Sequence, residues 1–200
     1  MNFADYKQAV LDCVEVPSQS ILKTLGINAR LMELRKSTSL NYIATAKVVG
    51  VAPGSLRNQE CGEAKLMLPV FMGCAKLFSK PGAVCINALA MLYSCVEGSN
   101  VEDWTMSGLA QRAVHALKLA DVVEDWLEPY RTVFGERLRE LRGDRSVAEW
   151  SKITNITPKM IRQAEGKSKG VSLILTLKYI VAASNDIDEA VFLTREILGV

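Results

Sequence analysis

The chain has 200 residues, of which 49% are hydrophobic and 23% are charged, and its formal net charge is +2. This composition indicates a globular protein that can bury a core, and it excludes a disordered chain. The nearly balanced charge excludes a polyanion-binding surface spread over the whole molecule, and no apolar run is long enough to predict a membrane span.

The first predicted element is an amphipathic helix near the N-terminus. Tyr6, Val10 and Val14 recur at helical spacing, and Pro17 is expected to end this helix. A second short helix is predicted to end at Gly26. The segment has neither a basic n-region nor a small-residue cleavage site, so we expect no signal peptide and a cytoplasmic protein.

Two later segments are copies of one pattern. The first copy, residues 30–62, reads RLMELRKSTSLNYIATAKVVGVAPGSLRNQECG, and the second copy, residues 137–166, reads RLRELRGDRSVAEWSKITNITPKMIRQAEG. Both open on Arg-Leu-x-Glu-Leu-Arg, and an apolar helix is predicted after each. The second copy is two residues shorter between its first and second predicted helices. A repeat at this distance indicates tandem domains rather than a solenoid.

Each copy is predicted to contain two helices joined by a tight turn. The earlier helix ends at Gly50 in one copy and at Asn155 in the other, and these residue types readily adopt a left-handed backbone. Thr157 is expected to cap the later helix, with Pro158 at its first position. The residues expected on the buried side are Val51, Leu56 and Gln59 in the first copy, and Ile156 and Ile161 in the second.

An acidic segment, residues 99–129, separates the copies and carries two basic and six acidic side chains. Residues 105–127 show helical spacing of apolar positions, and the helix is predicted to end near Pro129. At 1.5 Å per residue this helix would span about 34 Å. The chain is therefore divided into a helical extension at 1–28, a first domain at 29–98, the connector at 99–129, and a second domain at 130–200.

Both copies resemble the lambda-repressor and Cro-type helix-turn-helix domain, a compact five-helix unit of phage, plasmid and bacterial regulators. The typical pattern, L-R followed by L-A-x-x-x-G-V-S-x-x-x-I-S-x-x-E-x-G, is matched by LMELR…GVAPGSLRNQECG and by LRELR…NITPKMIRQAEG. The resemblance implies an all-α chain with two such five-helix domains joined by a long helix. It also implies that an arginine of the first helix pairs with the glutamate that closes the third. These pairs are Arg35 with Glu60 and Arg142 with Glu165.

In this family the third helix enters the major groove of DNA, and residues near its N-terminal end contact base edges. Carried over by position, the DNA-binding candidates of the second copy are Lys159, Met160, Arg162 and Gln163, flanked by Thr157, Lys167 and Lys169. Those of the first copy are Ser55, Arg57 and Asn58, next to Gly54. Lys167 is the expected phosphate contact.

The chain departs from the family pattern in two ways. Many members carry glutamine at the start of the second helix, where it supports a phosphate contact, whereas Tyr42 and Val147 stand there in this chain. The first copy's APGSLRNQ has a single cation and a glycine that weakens a helix. We therefore expect the second copy to dominate DNA contact. The first copy either reads a degenerate half-site or serves for packing or partner binding.

No other motif in the sequence predicts catalysis, a cofactor or a metal. His115 has no Ser, Cys or carboxylate at a suggestive spacing, and the acidic cluster at 124–128 offers too few converging oxygens. Neither GxxxxGK nor GxGxxG occurs. The five cysteines contain no CxxC pair and are expected to be core thiols, which fits a cytosolic protein. The tryptophans Trp104, Trp126 and Trp150 are expected to be core anchors.

The sequence therefore predicts a DNA-binding transcriptional regulator of phage, plasmid or bacterial mobile-element type, a repressor or activator without enzymatic activity. Its expected partner is double-stranded DNA. The unequal copies favour a homodimer, because like domains read like half-sites of a palindrome. The expected self-association surface combines the final helix, DEAVFLTREILGV, with the connector residues Leu109, Val114, Leu117 and Trp126. The alternative is a protein-binding antiactivator, antirepressor or anti-defence protein on the same scaffold, which the low net charge and the acidic connector leave open.

Overall fold

A computed structural model describes residues 1–14, 21–37, 40–78, 84–99, 124–166 and 171–198. Every regular element in these ranges is an α-helix, which confirms the predicted all-α class. The only β-type pairing among the described residues is a single isolated bridge. In this part of the chain, no helix is both long enough and apolar enough to cross a bilayer.

The helices fall into two groups along the chain. The first group is α1 (Phe3–Asp12), α2 (Ile21–Thr24), α3 (Ile27–Ser37), α4 (Tyr42–Val49), α5 (Pro53–Glu60), α6 (Leu68–Phe78) and α7 (Val84–Tyr93). The second group is α8 (Glu124–Arg142), α9 (Val147–Thr154), α10 (Pro158–Ala164), α11 (Leu173–Ala183) and α12 (Ile187–Leu198). The first copy therefore spans α3 to α5, and the second spans the end of α8 to α10.

The N-terminal helix is shorter than the sequence predicts. The Asn2 side chain caps it by accepting a hydrogen bond from the backbone N–H of Asp5 at 2.8 Å. Tyr6 and Val10 are fully buried, as predicted. Val14 is exposed, which contradicts its predicted place on the buried stripe, because the helix already ends at Asp12. Pro17 lies outside the described residues.

Side chains of α1 form hydrogen bonds with helices of both groups. The Tyr6 hydroxyl donates to the carbonyl of Leu92 in α7 at 3.2 Å. The Lys7 ammonium donates to the carbonyl of Ser184, at the end of α11, at 2.6 Å. These two bonds come from neighbouring residues of α1, so this helix ties α7 to α11.

A buried lysine of α11 extends this connection to the turn of the second copy. The Lys178 ammonium donates to the backbone carbonyls of Leu11 at 2.9 Å and Thr154 at 3.1 Å. It also lies 3.4 Å from the carbonyl of Asn155. These carbonyls lie at the C-terminal ends of α1 and α9, where helix carbonyls lack partners within the helix. Lys178 therefore holds the end of α1 against the turn that follows α9.

The helix at the end of the acidic segment continues beyond its predicted end. The helix α8 runs from Glu124 to Arg142 and passes through Pro129, so the predicted helix end near Pro129 is wrong. A proline inside a helix removes a backbone hydrogen bond and crowds the carbonyl four residues before it. The packing of the residues that follow opposes this cost, since Phe134 and Leu138 are buried. Of the predicted connector helix at 105–127, only residues 124–127 are described, and they belong to α8.

The two groups of helices share one core. The helix α6 packs against α11, and α7 packs against α12. An antiparallel bridge pairs Met67 with Ser172, the residues immediately before α6 and α11. Buried side chains from both copies and from α1 belong to one continuous hydrophobic cluster. The described part of the chain is therefore one packed body.

The final helix α12 is buried within the chain more than the sequence predicts. Its residues Ala190, Ile197 and Leu198 are buried, and the Thr194 hydroxyl is hydrogen-bonded to the Tyr93 hydroxyl at 2.7 Å. The part of the predicted self-association surface that α12 contributes is therefore largely covered by α7, α8 and α11. Phe192 remains 59% exposed. The connector residues Leu109, Val114 and Leu117 of that predicted surface lie outside the described residues.

Candidate nucleic-acid interface

The turn of the second copy has the geometry that its sequence predicts. A capping box starts α9: the Glu149 N–H donates to the Ser146 hydroxyl, and the Ser146 N–H donates to the Glu149 carboxylate. Asn155 ends α9 in the left-handed conformation, with φ of 51°. The Ser151 hydroxyl donates to the carbonyl of Ile156 at 2.6 Å, which ties the turn back to α9.

The helix α10 starts as predicted and turns its polar side to solvent. The Thr157 hydroxyl accepts a hydrogen bond from the N–H of Met160 at 3.4 Å, and Pro158 is the first helical residue. Ile161 is fully buried and anchors the inner face. The candidate residues Thr157, Lys159, Arg162 and Gln163 are exposed.

Met160 departs from the prediction, because its side chain is half-buried and packs against the core cluster. It lies between the buried and exposed faces of a short helix, and its long apolar side chain gains more from this packing than from exposure. The predicted contacts Lys167 and Lys169 lie outside the described residues. Three exposed side chains of α10, at 159, 162 and 163, therefore form the candidate reading surface.

The first copy has the same layout with weaker capping. Gly50 ends α4 with φ of 77°, while the N-cap of α5, Ala52, offers no side-chain oxygen. Leu56 and Gln59 are buried and Val51 is half-buried, as predicted. The exposed candidates are Gly54, Ser55, Arg57 and Asn58. A Cβ atom at Gly54 would meet nothing within 4 Å, so packing does not require a glycine there.

Gln59 connects α5 to two other parts of the chain and also bonds within α5. Its side-chain oxygen accepts the N–H of Met67 at 2.9 Å, and its amide nitrogen donates to the Ser55 hydroxyl at 3.1 Å. Its backbone carbonyl accepts from the Asn28 side chain at 2.7 Å. Ser55 is therefore exposed but already engaged, which leaves Arg57 and Asn58 as the unengaged candidates of the first copy.

Both ion pairs implied by the family resemblance are present. Arg35 Nε lies 3.0 and 2.9 Å from the two carboxylate oxygens of Glu60, and the two side chains are 8% and 0% exposed. Arg142 Nε and Nη2 contact separate oxygens of Glu165 at 2.8 and 3.0 Å, with exposures of 15% and 5%. Each pair fixes the last turn of a candidate reading helix to the helix that opens the copy.

A close approach of α8 to the end of α10 accompanies the second pair. A Cβ atom at Gly135 would lie 2.8 Å from the carbonyl oxygen of Gly166 and 2.9 Å from that of Glu165. Arg139 Nη2 also donates to the Glu165 carbonyl at 3.1 Å. Only a glycine at 135 allows this backbone contact, so Gly135 helps to fix the position of α10.

Tyr42, which replaces the glutamine that many family members carry, has a structural role. The Arg35 guanidinium lies 3.8 Å from the centre of its ring, and the Tyr42 hydroxyl is close enough to Glu60 to lower the pKa of the Glu60 carboxyl. Burial, the largest cause, raises the pKa of the Glu60 carboxyl, while the hydrogen bonds and charge of Arg35 and the bond from Tyr42 oppose that rise. Tyr42 therefore helps to keep a buried carboxylate charged.

The second copy supplies an equivalent phenol from a different helix. The Tyr179 hydroxyl of α11 donates to the Glu165 carboxylate at 3.0 Å. In the alignment of the copies, Cys74 of α6 stands where Tyr179 does, and Val147 stands where Tyr42 does. Each buried glutamate thus receives one arginine and one phenol. Sequence reasoning missed this exchange, although the reciprocal Tyr–Cys and Val–Tyr differences at aligned positions could have indicated it.

We expect Tyr179→Phe to lower the free energy of unfolding by about 2 kcal/mol, because a hydrogen bond to a buried charge is lost. Urea denaturation followed by circular dichroism measures the change. Tyr6→Phe is the matched control, since its hydroxyl serves a neutral carbonyl and should cost about 1 kcal/mol. A Tyr179→Phe loss smaller than the Tyr6→Phe loss contradicts the assignment.

Other candidate chemistry in the described residues is sparse. They contain no group of three His, Cys, Asp or Glu side chains placed to hold a metal ion. The four cysteines whose side chains are described are all free: Cys74 is buried in the core, Cys13 and Cys95 are half-buried and pack against it, and Cys61 is half-buried. Trp150 is fully buried, as predicted. His115 and Trp104 lie outside the described residues.

No protein-family model, no curated protein and no solved structure matches this chain. The likeness to lambda-repressor-type domains therefore depends on the residues and contacts described above. The strongest of these are the left-handed residue between the paired helices, the buried anchor of the second helix, and the arginine–glutamate pair of each copy.

Proposed function

We propose that this chain is a sequence-specific DNA-binding transcriptional regulator of phage, plasmid or bacterial mobile-element type. In this proposal two lambda-repressor-type helix-turn-helix units present α10 and α5 to the major groove. The observation that carries it is the arrangement of α10, whose inner residue Ile161 is fully buried while Lys159, Arg162 and Gln163 face solvent. Arginine and lysine suit guanine edges and phosphates, and glutamine suits adenine.

The second copy supports the proposal better than the first. Its helix α10 exposes two cations and an amide, and Arg145 and Lys152 nearby in the chain are also exposed and suited to phosphates. The helix α5 exposes one cation, Arg57, together with Asn58. We therefore assign the larger share of binding energy to the second copy.

The test begins with selection of bound sequences from random duplexes, followed by titration of a selected duplex at several salt concentrations. We expect the double variant Lys159→Ala/Arg162→Ala to bind at least about tenfold more weakly, because phosphate and base contacts are both lost. The variant Lys23→Ala/Arg195→Ala removes the same charge from other exposed positions and is the control. No enriched duplex, or equal binding by both variants, refutes the proposal.

The alternative function, a protein-binding antiactivator, antirepressor or anti-defence protein, is favoured by one observation in the first copy. Ile43, in the first turn of α4, is 69% exposed, and the neighbouring reading helix has a single cation. An exposed apolar side chain there is unusual for a DNA-facing surface but ordinary for a protein interface. If the selection enriches no duplex, this alternative replaces the DNA-binding proposal.

A further inference from the structure

The contact between the two groups of helices uses equivalent residues in a reciprocal way. The N–H of Leu68 donates to the carbonyl of Val171 at 2.9 Å, and the N–H of Leu173 donates to the carbonyl of Leu66 at 2.8 Å. Leu68 and Leu173 are the first residues of the helices that follow the two copies. Exchanging the copies therefore converts one hydrogen bond into the other.

The residues on either side of this bridge show the same equivalence. Met67 and Ser172, which form it, each precede the following helix by one residue. The helix α6 packs against its equivalent α11, and α7 packs against its equivalent α12. When elements of one unit pack against the equivalent elements of the other, the two units are related by a twofold axis. A head-to-tail arrangement instead joins elements that are not equivalent. An approximate twofold axis therefore passes between Met67 and Ser172.

In each copy, the candidate reading helix shortly precedes the bridge residue in the sequence. The same number of residues separates Glu60 from Met67 and Glu165 from Ser172. In the first copy the connection is direct, because the Gln59 side chain of α5 accepts the N–H of Met67. The ion pairs of Glu60 and Glu165 fix the C-terminal end of α5 and of α10 in matching ways. The twofold relation therefore extends from the bridge to α5 and α10.

We propose that one chain binds one duplex as an internal pseudo-dimer, and that its DNA ligand is an inverted repeat of two unlike half-sites. This inference rests on the proposed function. In B-DNA, the two half-sites of an inverted repeat are related by a local twofold axis. Their centres lie about one helical turn apart, near 34 Å. Two units related by a twofold axis match inverted half-sites and cannot make the same contacts to direct repeats.

The half-sites must differ because the two reading surfaces differ. The helix α10 presents Lys159, Arg162 and Gln163, whereas α5 presents Arg57 and Asn58. The chain should therefore bind an asymmetric inverted repeat in one orientation. This arrangement replaces the homodimer expected from the sequence, since the two equivalent units already pair within one chain.

The experiment takes a selected duplex and rearranges its two half-sites as inverted, everted and direct repeats of equal spacing. Titration by fluorescence anisotropy measures affinity for the full chain, and sedimentation velocity measures how many chains bind each duplex. We expect one chain per duplex and at least about tenfold tighter binding to the inverted repeat, because other arrangements lose the base contacts of one copy. Inserting half a helical turn between the half-sites should cost a similar factor.

Two single variants show which copy contacts which half-site. Arg57→Ala should weaken discrimination at one half-site only, and Gln163→Ala at the other only. Equal affinity for direct and inverted repeats, two chains per duplex, or both variants acting on the same half-site overturns the pseudo-dimer while leaving DNA binding intact. Failure to bind any duplex overturns both the pseudo-dimer reader and the proposed function.

Discussion

Replacing Glu60 by alanine is expected to lower the free energy of unfolding by about 3 kcal/mol. The Arg35 side chain is only 8% exposed, and it would lose the two contacts of 2.9 and 3.0 Å that compensate its burial. Neutral groups such as the Leu40 carbonyl, which accepts from Arg35 Nη1 at 3.1 Å, would remain beside it. Neutral groups do not replace a carboxylate next to a buried guanidinium, so most of the cost comes from the stranded charge.

The cost for Glu165→Ala is expected to be of the same order but smaller. Arg142 is more exposed than Arg35, so water can replace part of the lost interaction. Urea denaturation followed by circular dichroism measures both changes. The control is Glu140→Ala, which removes an exposed carboxylate of α8 and should cost under about 0.5 kcal/mol.

A second variant separates stranded charge from lost packing. Arg35→Met/Glu60→Leu removes both charges and keeps apolar volume, so it should recover much of the stability lost in Glu60→Ala. If Glu60→Ala costs under about 1 kcal/mol, the pair behaves as an exposed ion pair and its assignment as a buried clamp is wrong.

Features that depend on short sequence separations could be predicted from the sequence. Asn155 and Gly50 end their helices in the left-handed conformation, and Thr157 caps α10, because each of these outcomes is decided within a few residues. The arginine–glutamate pairs join distant residues, and nothing local predicts them. They were expected only because the resemblance to lambda-repressor-type domains implies such a pair in each copy.

Features that depend on how distant helices pack were missed. Nothing local to Met67 or Ser172 indicates that they pair across the molecule, since neither belongs to a strand pattern. Lys178 belongs to an apolar helix in which a lysine is expected to reach solvent, yet carbonyls at the ends of α1 and α9 surround its ammonium. The half-burial of Met160 also depends on the neighbouring core, because a residue at the edge of the buried face can either pack or point to solvent.

The exposed residues of the candidate site could be predicted from the sequence, whereas the role of one neighbouring residue could not. The exposed positions Lys159, Arg162 and Gln163 follow from the helical period once Ile161 is recognised as the anchor. Tyr42 stands where lambda-repressor-type domains often carry a glutamine, but here it lies beside the buried Arg35 and Glu60. Its role is structural, and Tyr179 takes that role in the second copy.

The second large effect is expected from variants of the reading surface itself. Lys159→Ala and Gln163→Ala should relax sequence preference, because a lost base contact removes about 1–3 kcal/mol of discrimination at one position. Lys167→Ala should act differently, since this residue is the predicted phosphate contact that follows α10. It should weaken binding to all sequences alike and flatten the salt dependence of binding by about one unit of slope.

Titration of the selected duplex and of single-base variants, each at several salt concentrations, separates these two behaviours. A base-reading residue changes the ratio of affinities between duplexes while leaving the salt slope of the specific complex nearly intact, in particular for the uncharged Gln163. A phosphate contact changes the slope and leaves the ratio constant, because the charge that it neutralises is the same at every sequence.

Arg57→Ala provides the comparison for the first copy, and its effect should be smaller than that of Lys159→Ala if the second copy carries most of the binding energy. If Lys159→Ala, Gln163→Ala and Lys167→Ala all bind as the unchanged protein does, α10 does not face DNA, and its exposed side chains serve a protein partner instead.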